Sequence, residues 1–396
     1  MRIASIGIKP YGNNNIQLNS YNKNPQIQQS NTIQKKYSQL PYSFKYNANV
    51  SFGEFFDPNR TVPHIDYEEY MAMSESTKKR FRKRYDQFFR AKTTKLDEMV
   101  DQRSLYMPLR NEAVMDEFIN FSKSTYAKFK DQPIICLGRS PKWFLNTALW
   151  MKDGINDYKF VAFSKYWHKK DYTEGMVQIP SLMPTEKEEK AYLRYLQRIK
   201  ADPKTIVENM QKTGKKTVIT DYIHTSRGFC SFLDLMSKFA EKEGILEEFS
   251  KSIQLVNIAS IEYLGELDPY AESFSIPEVL LPKRLQPFKN NIKQEYHDMS
   301  SELLKNMLIN QNTNECRSTY YPHETWTIYQ PDRFKTGLIH DMKKVKELVK
   351  KLNSSNERSM SSFTPAMYDY RNLLNFRILD ALNSRKLLKT IHKSKI

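Results

Sequence analysis

No stretch of this 396-residue chain reaches the roughly 18 to 20 apolar residues that a bilayer-crossing helix needs. The opening MRIASIGIKPYG holds too short and too interrupted an apolar run for a secretory signal. Both absences argue against a membrane partner, and the expected location is cytoplasmic. Cysteine is scarce: Cys136, Cys230 and Cys316 form no CxxC pair and no even framework, so neither a disulfide scaffold nor a zinc ribbon is implied. Cys136 and Cys230 fall inside apolar runs, where a small buried hydrophobe is the expectation. The seven histidines include no HExxH or other zinc spacing, so no metal-ligand set is expected. There is no GxSxG nucleophile elbow, no GxxxxGK[ST] phosphate loop and no internal repeat.

Acidic residues are missing from both ends. Residues 1–50 carry six Lys and Arg and no acid, and residues 384–396 carry five and no acid, so the ends hold 11 of the net +17. A basic balance of this size invites a nucleic-acid partner, reached through the basic tails. The run KKRFRKRYDQFFRAK interleaves cations with aromatics, as single-strand binders do. Its aromatics Phe81, Tyr85, Phe88 and Phe89 recur at i, i+4, i+7 and i+8, which is equally the core face of an amphipathic helix with solvated charges.

The pattern divides the chain into five parts. Residues 1–58 are an Asn/Gln-rich leader without periodicity, expected to be disordered. Residues 59–130 read as helices, the longest starting at a cap of Ser76 or Thr77. Residues 131–262 form an α/β domain, 263–335 an irregular proline-containing segment, and 336–396 a helical segment with a basic tail. Within the α/β part, PIICLG, YKFVAFS, KKTVITDYI and SIQLVNIAS are continuous apolar runs separated by helical patterns, with Pro203 as a break and Gly244 as a stop. Continuous rather than alternating apolar strands predict a parallel sheet covered by helices on both faces.

Ligands of such sheets bind beyond the carboxyl ends of the strands. Two loops there carry suitable chemistry: LGRSPKW at 137–143 and TDYIHTSRG at 220–228. The second enters a helix, whose first N–H groups and positive dipole end suit a phosphate. Thr225 and Ser226 add hydroxyls, Arg227 a cation and Gly228 room for close approach, while Asp221 stands at the strand end. The alternative for this loop is an ordinary strand-to-helix connection capped by Thr225 or Ser226. For Arg139 and Ser140 it is a capped helix start with a surface arginine, and for His224 a hydrogen-bonded loop histidine.

The stretch VITDYIHTSRGF resembles the PRPP-binding motif of the type I phosphoribosyltransferases: an apolar strand, two acids, two apolar residues, a variable residue, then Thr-Gly-Lys/Gly-Thr. Asp221 takes the second acid, Tyr222 and Ile223 the apolar pair, Thr225 the Thr, and Arg227 the cationic variant. Thr220 stands at the first acid, Ser226 at the usual Gly, and Gly228 at the usual Thr or Ser. The resemblance implies a phosphoribosyltransferase-like parallel-sheet fold that binds PRPP or a nucleotide phosphate, with magnesium as cofactor, and transfers phosphoribosyl with release of pyrophosphate. It implies Asp221 on the ribose hydroxyls, and His224 where some members place the acid that handles the base's proton. Thr225, Ser226, Arg227 and Gly228 would take the 5′-phosphate, and Arg139 with Ser140 the pyrophosphate. The segment from Phe160 to about residue 190 would be a mobile loop closing over the ligand. Within it Trp167, beside His168, Lys169 and Lys170, is a base-stacking candidate. A nucleotide-sensing module without turnover keeps the same fold and is the alternative, as is a basic nucleic-acid-associated protein.

Overall fold

The computed structural model describes residues 65–96, 109–138, 141–161, 163, 166–171, 175–223, 225–263, 279–309 and 365–389. The chain divides into Met1–Glu54 and Phe55–Ile396, and every described residue belongs to the second unit. The leader read at 1–58 and the helical pattern at 333–352 lie outside the described residues.

Two helices, α1 (Tyr67–Ala72) and α2 (Glu75–Leu96), come first. Ser74 Oγ accepts the Thr77 N–H at 3.2 Å, so the cap of α2 is Ser74 rather than Ser76 or Thr77. α3 (Glu112–Tyr126) starts on Asn111, whose side chain accepts the Ala113 N–H at 2.9 Å. Then follow β1 (Ile134–Leu137), α4 (Lys142–Trp150), β2 (Lys159–Val161) and a hairpin of β3 (His168–Asp171) and β4 (Gly175–Gln178). α5 (Glu186–Arg198) opens on a capping box of Thr185 and Glu188, and α6 (Pro203–Thr213) on Asp202, with Pro203 at its first position where no N–H is missed. The remaining elements are β5 (Thr217–Tyr222), α7 (Arg227–Lys242), α8 (Leu246–Ser252), β6 (Ile253–Ala259), a 3-10 segment (Lys283–Asn291), β7 (Lys293–Asp298), α9 (Ser301–Leu304) and α10 (Pro365–Ser384).

Five strands form one parallel sheet in the order β2-β1-β5-β6-β7. All four apolar runs are strands of it. Its fifth strand, KQEYHD, lies in the segment read as irregular, beyond residue 262. As an edge strand without an aliphatic residue, β7 carries no apolar run for a sequence reading to find. All seven residues of β6 are buried, as a central strand covered on both faces requires.

The two faces follow from handedness. Parallel neighbours are joined by right-handed crossovers. The step from β1 to β2 runs one way along the sheet, and the steps β5 to β6 to β7 run the other. α4 therefore covers one face, and α7 with α8 the opposite one. α3 packs on α4, with the Phe118 and Phe121 rings 5.1 and 5.2 Å from Phe144. α6 and the 3-10 segment pack with α7 and α8. α10 packs against α1, α2 and α4. There Phe376 stacks on Phe81 at 5.2 Å, Tyr85 is buried, and Arg82 holds Asp380 through two bonds of 2.7 Å. The aromatic face of the basic run is thus a packing face at Phe81 and Tyr85. The Phe88 and Phe89 side chains lie outside the described residues.

Gly154 ties α4 to β2. A Cβ there would stand 1.5 Å from the Ala148 carbonyl oxygen, the same oxygen that accepts the Ile155 N–H at 3.0 Å. The obstacle is backbone, which cannot rotate away. Gly154→Ala is expected to cost at least about 2 kcal/mol. Urea denaturation of both proteins checks this, and an unchanged midpoint would contradict it.

Candidate functional site at the carboxyl edge of the sheet

β1 and β5 are paired neighbours, with Ile134 opposite Val218, Ile135 opposite Ile219 and Cys136 opposite Thr220. Counting only the five sheet strands, the order is 2-1-3-4-5, and chain direction along the sheet reverses between β1 and β5. Crevices for ligands form at such a reversal, outside the carboxyl ends. The loops at 138–141 and 223–226 leave the sheet from these two adjacent strands, so the topology brings the two sequence-predicted loops to one place. Arg139, Ser140 and His224 lie outside the described residues.

Ser226 is the helix-preceding residue of α7 and has φ +57°, the left-handed region that favours glycine. Arg227 is the first helical residue. Its guanidinium carbon lies 5.9 Å from the Tyr166 ring centroid, and its Nε is buried without a hydrogen-bond partner among the described residues. Thr225 is exposed, and Ser226 and Gly228 are partly exposed.

Asp221, next to last in β5, uses Oδ1 to accept the N–H of Tyr222 at 2.8 Å. The residue keeps a partly exposed surface, yet its dense surroundings push the carboxyl well above the usual carboxylate range. Thr220 points the other way, as alternate strand residues do. It is fully buried, and its hydroxyl shares a 2.9 Å hydrogen bond with the Tyr126 hydroxyl of α3. Cys136, its register neighbour, donates to the Gly138 carbonyl at 3.4 Å, and burial raises its thiol well above the ordinary range. Cys136 and Cys230 are both buried free thiols.

Trp167 is in the core rather than on a stacking surface. It is 1% exposed, it packs edge-on to Phe163 at 5.9 Å, and its indole N–H donates to Asp234 Oδ2 at 3.1 Å. The exposed aromatic is its neighbour Tyr166, at 46%. The reason is the α7 side chain Asp234. This buried carboxylate also accepts Gln178 Nε2 at 2.9 Å and Arg284 Nη1 at 2.8 Å. Ser231, one turn earlier, accepts the Trp167 backbone N–H at 2.9 Å and meets His168 Nδ1 at 2.9 Å. Both strands of the hairpin are therefore fastened to α7. The segment read as a mobile loop is anchored at its base, because a buried carboxylate needs these donors.

Three residues went unnoticed in the sequence. Lys142, first in α4, is 4% exposed with its ammonium 5.3 Å from the Trp143 ring. Asp234 looked like one polar residue of an amphipathic helix. Asn257 stands opposite Asp221 in register and is 1% exposed. An amide toward the carboxyl end of the apolar run SIQLVNIAS was the available signal.

No described helix is long and apolar enough to cross a membrane. Among the described residues no group of three or more His, Cys, Asp or Glu could hold a metal ion. Fold and edge together define an open, all-parallel α/β sheet with its reversal between β1 and β5. Comparisons with protein-family models, curated proteins and solved structures return no match to this chain.

Two expectations follow. Burial pulls His168 below its ordinary value, with the nearby Asp234 carboxylate opposing the shift. The unfolded chain then binds more protons than the native one below the ordinary histidine range, so this contribution to stability is complete above about pH 6.5 and is lost as pH falls below it. In denaturation curves at pH 7.5 and 5.0, His168→Gln should show less acid destabilisation than the parent, and equal losses would refute the role. Separately, Ser226→Gly relieves a left-handed serine and should raise stability by about 1 kcal/mol, whereas Ser226→Val should lower it. Chemical denaturation reads both, and a Gly variant less stable than the parent counts against the strain.

Proposed function

We propose that the chain is a divergent phosphoribosyltransferase-like protein that holds a phosphorylated ribose, PRPP or a nucleotide, at the carboxyl edge between β1 and β5. The observation that carries this reading is the pairing of those two strands at the reversal, from which both motif-bearing loops depart. The left-handed backbone of Ser226 adds support, because the resembled motif has its glycine at that position. So does the hairpin β3–β4, which follows β2 where the resemblance implies a loop over the ligand. In this reading the α7 N-terminus with Thr225, Ser226, Arg227 and Gly228 receives the 5′-phosphate. Asp221 meets the ribose hydroxyls, and Arg139 with Ser140 meets the pyrophosphate of PRPP. Transfer would rest on stabilising the charge of departing pyrophosphate, the task of Arg139, with His224 beside the base.

Binding without turnover has its own support. Thr220 stands where the motif has its first acid, and its hydroxyl is spent on Tyr126 inside the fold. Magnesium fits the described edge poorly, since Asp221 is a single carboxyl that burial holds toward its neutral form. The nucleic-acid alternative draws nothing from α2, where Phe81 and Tyr85 pack inward and Arg82 is paired with Asp380. The basic tails that would carry it lie largely outside the described residues.

Calorimetric titration of the full chain with PRPP, with and without magnesium, and with AMP tests the reading. Binding is expected at micromolar to millimolar ligand, weakened about 10-fold or more by Arg227→Ala through loss of a charge-assisted contact. Absence of heat with both ligands at several millimolar sinks the proposal.

A further inference from the structure

Strand register puts three polar side chains in one row at the carboxyl edge: Asp221 of β5, Asn257 of β6 and Tyr296 of β7. Residues in register across a parallel sheet point to the same face, with strands about 4.8 Å apart. Thr220 faces α3, so by alternation this row faces α7, the helix whose N-terminus follows β5. Asn257 is the buried member, and it is flanked by two partly exposed residues. Its amide orientation is held from one side. Nδ2 donates to Gln294 Oε1 at 3.2 Å, and Gln294 is itself tied to Val279 by two bonds of 3.1 Å. That leaves Asn257 Oδ1 buried with no hydrogen-bond partner among the described residues. An amide oxygen kept dry and unpaired is costly, and each such atom calls for an explanation.

We propose that Asn257 Oδ1 is an acceptor for a sugar hydroxyl, and that Asn257 with Asp221 forms a subsite selecting ribose over deoxyribose. This rests on the phosphate-sugar reading above and adds to it the residue that stands in for the missing first acid. Thr220 cannot serve, because it faces α3 and its hydroxyl is bonded to Tyr126. Asn257 reaches the same edge from the next strand. Two side chains one strand spacing apart, one an acceptor and the other a carboxyl, match the two adjacent hydroxyls of a ribose ring. A phosphate on the N-terminus of α7 would lie on the same face of the sheet. Tyr296 closes the far end of the row, with its hydroxyl turned away to Asp298 Oδ1 at 2.7 Å.

The test titrates the full chain with ribose 5-phosphate, 2-deoxyribose 5-phosphate and inorganic phosphate, for the parent, Asn257→Leu and Asn257→Asp. The parent is expected to prefer ribose 5-phosphate by about tenfold, the worth of one good hydrogen bond. Asn257→Leu should bring the two sugars within about twofold while leaving the deoxy affinity in place, and Asn257→Asp, which keeps an acceptor, should retain the preference. A merely structural amide would alter the melting temperature and not the ratio of the two affinities. If the leucine variant discriminates as the parent does, the role of Asn257 is overturned and the phosphate-sugar reading stands. If the parent binds none of the three ligands, that reading falls and the subsite falls with it.

Discussion

Parallel pairing of β1 with β5 is the constraint on which the rest of this molecule depends. Adjacent parallel strands cannot be joined by a tight turn, so each connection must travel back across a face of the sheet. The chain makes one such crossover outward, from β1 through α4 to β2. It then returns past β1 to lay down β5, and continues to β6 and β7 in the opposite direction. Both faces are covered as a result, which is why apolar residues fill β1 and the middles of β5 and β6. The same reversal leaves two loops at one point of the carboxyl edge with no crossover between them. A site here is a consequence of connectivity before it is a matter of side chains.

Side chains then fix what surrounds that point. Asp234 is buried in the middle of α7, and a carboxylate in that position is tolerable only with donors in place. It receives Trp167 just before the hairpin, Gln178 within it and Arg284 from the 3-10 segment, so two separate parts of the chain supply three donors to one residue. Fastening Trp167 has a further result. Its neighbour Tyr166 is left outside, close to the Arg227 guanidinium at the start of the same helix. The indole read as a stacking surface is in the core, and the phenol beside it is the exposed ring.

Much of the fold was legible because its strands are short, continuous apolar runs. β1, β2, β5 and β6 follow from PIICLG, YKFVAFS, KKTVITDYI and SIQLVNIAS, and parallel pairing follows from their lack of alternation. β7 was not legible, since an edge strand need bury little and KQEYHD buries little. The hairpin escaped for a related reason: its polar residues are held by Asp234, a contact 56 to 67 residues away that no local pattern announces. The strand, loop and helix running from Thr217 to Lys242 could be read from residue types alone. The burial of Trp167 and the orphaned oxygen of Asn257 could not, because each depends on what a distant element places beside it.

The carboxyl edge departs from the rule that governs the rest of the sheet. Val218 and Ile219 of β5 and Leu255 and Val256 of β6 are aliphatic, and such strands gain from filling both faces with apolar side chains. Toward their ends the row becomes Asp221, Asn257 and Tyr296, with a carboxyl pushed toward its neutral form and an amide oxygen left unpaired. A leucine or valine at either of the first two positions would remove the penalty without disturbing the backbone pairing. On the proposed reading, these two local choices against stability are what a binding site imposes. The Thr220–Tyr126 bond sharpens the contrast. One residue earlier in the same strand, a buried hydroxyl is fully engaged by α3 and belongs to the scaffold. On the proposed reading, the boundary between scaffold and site runs between residues 220 and 221, set by the alternation of a single strand.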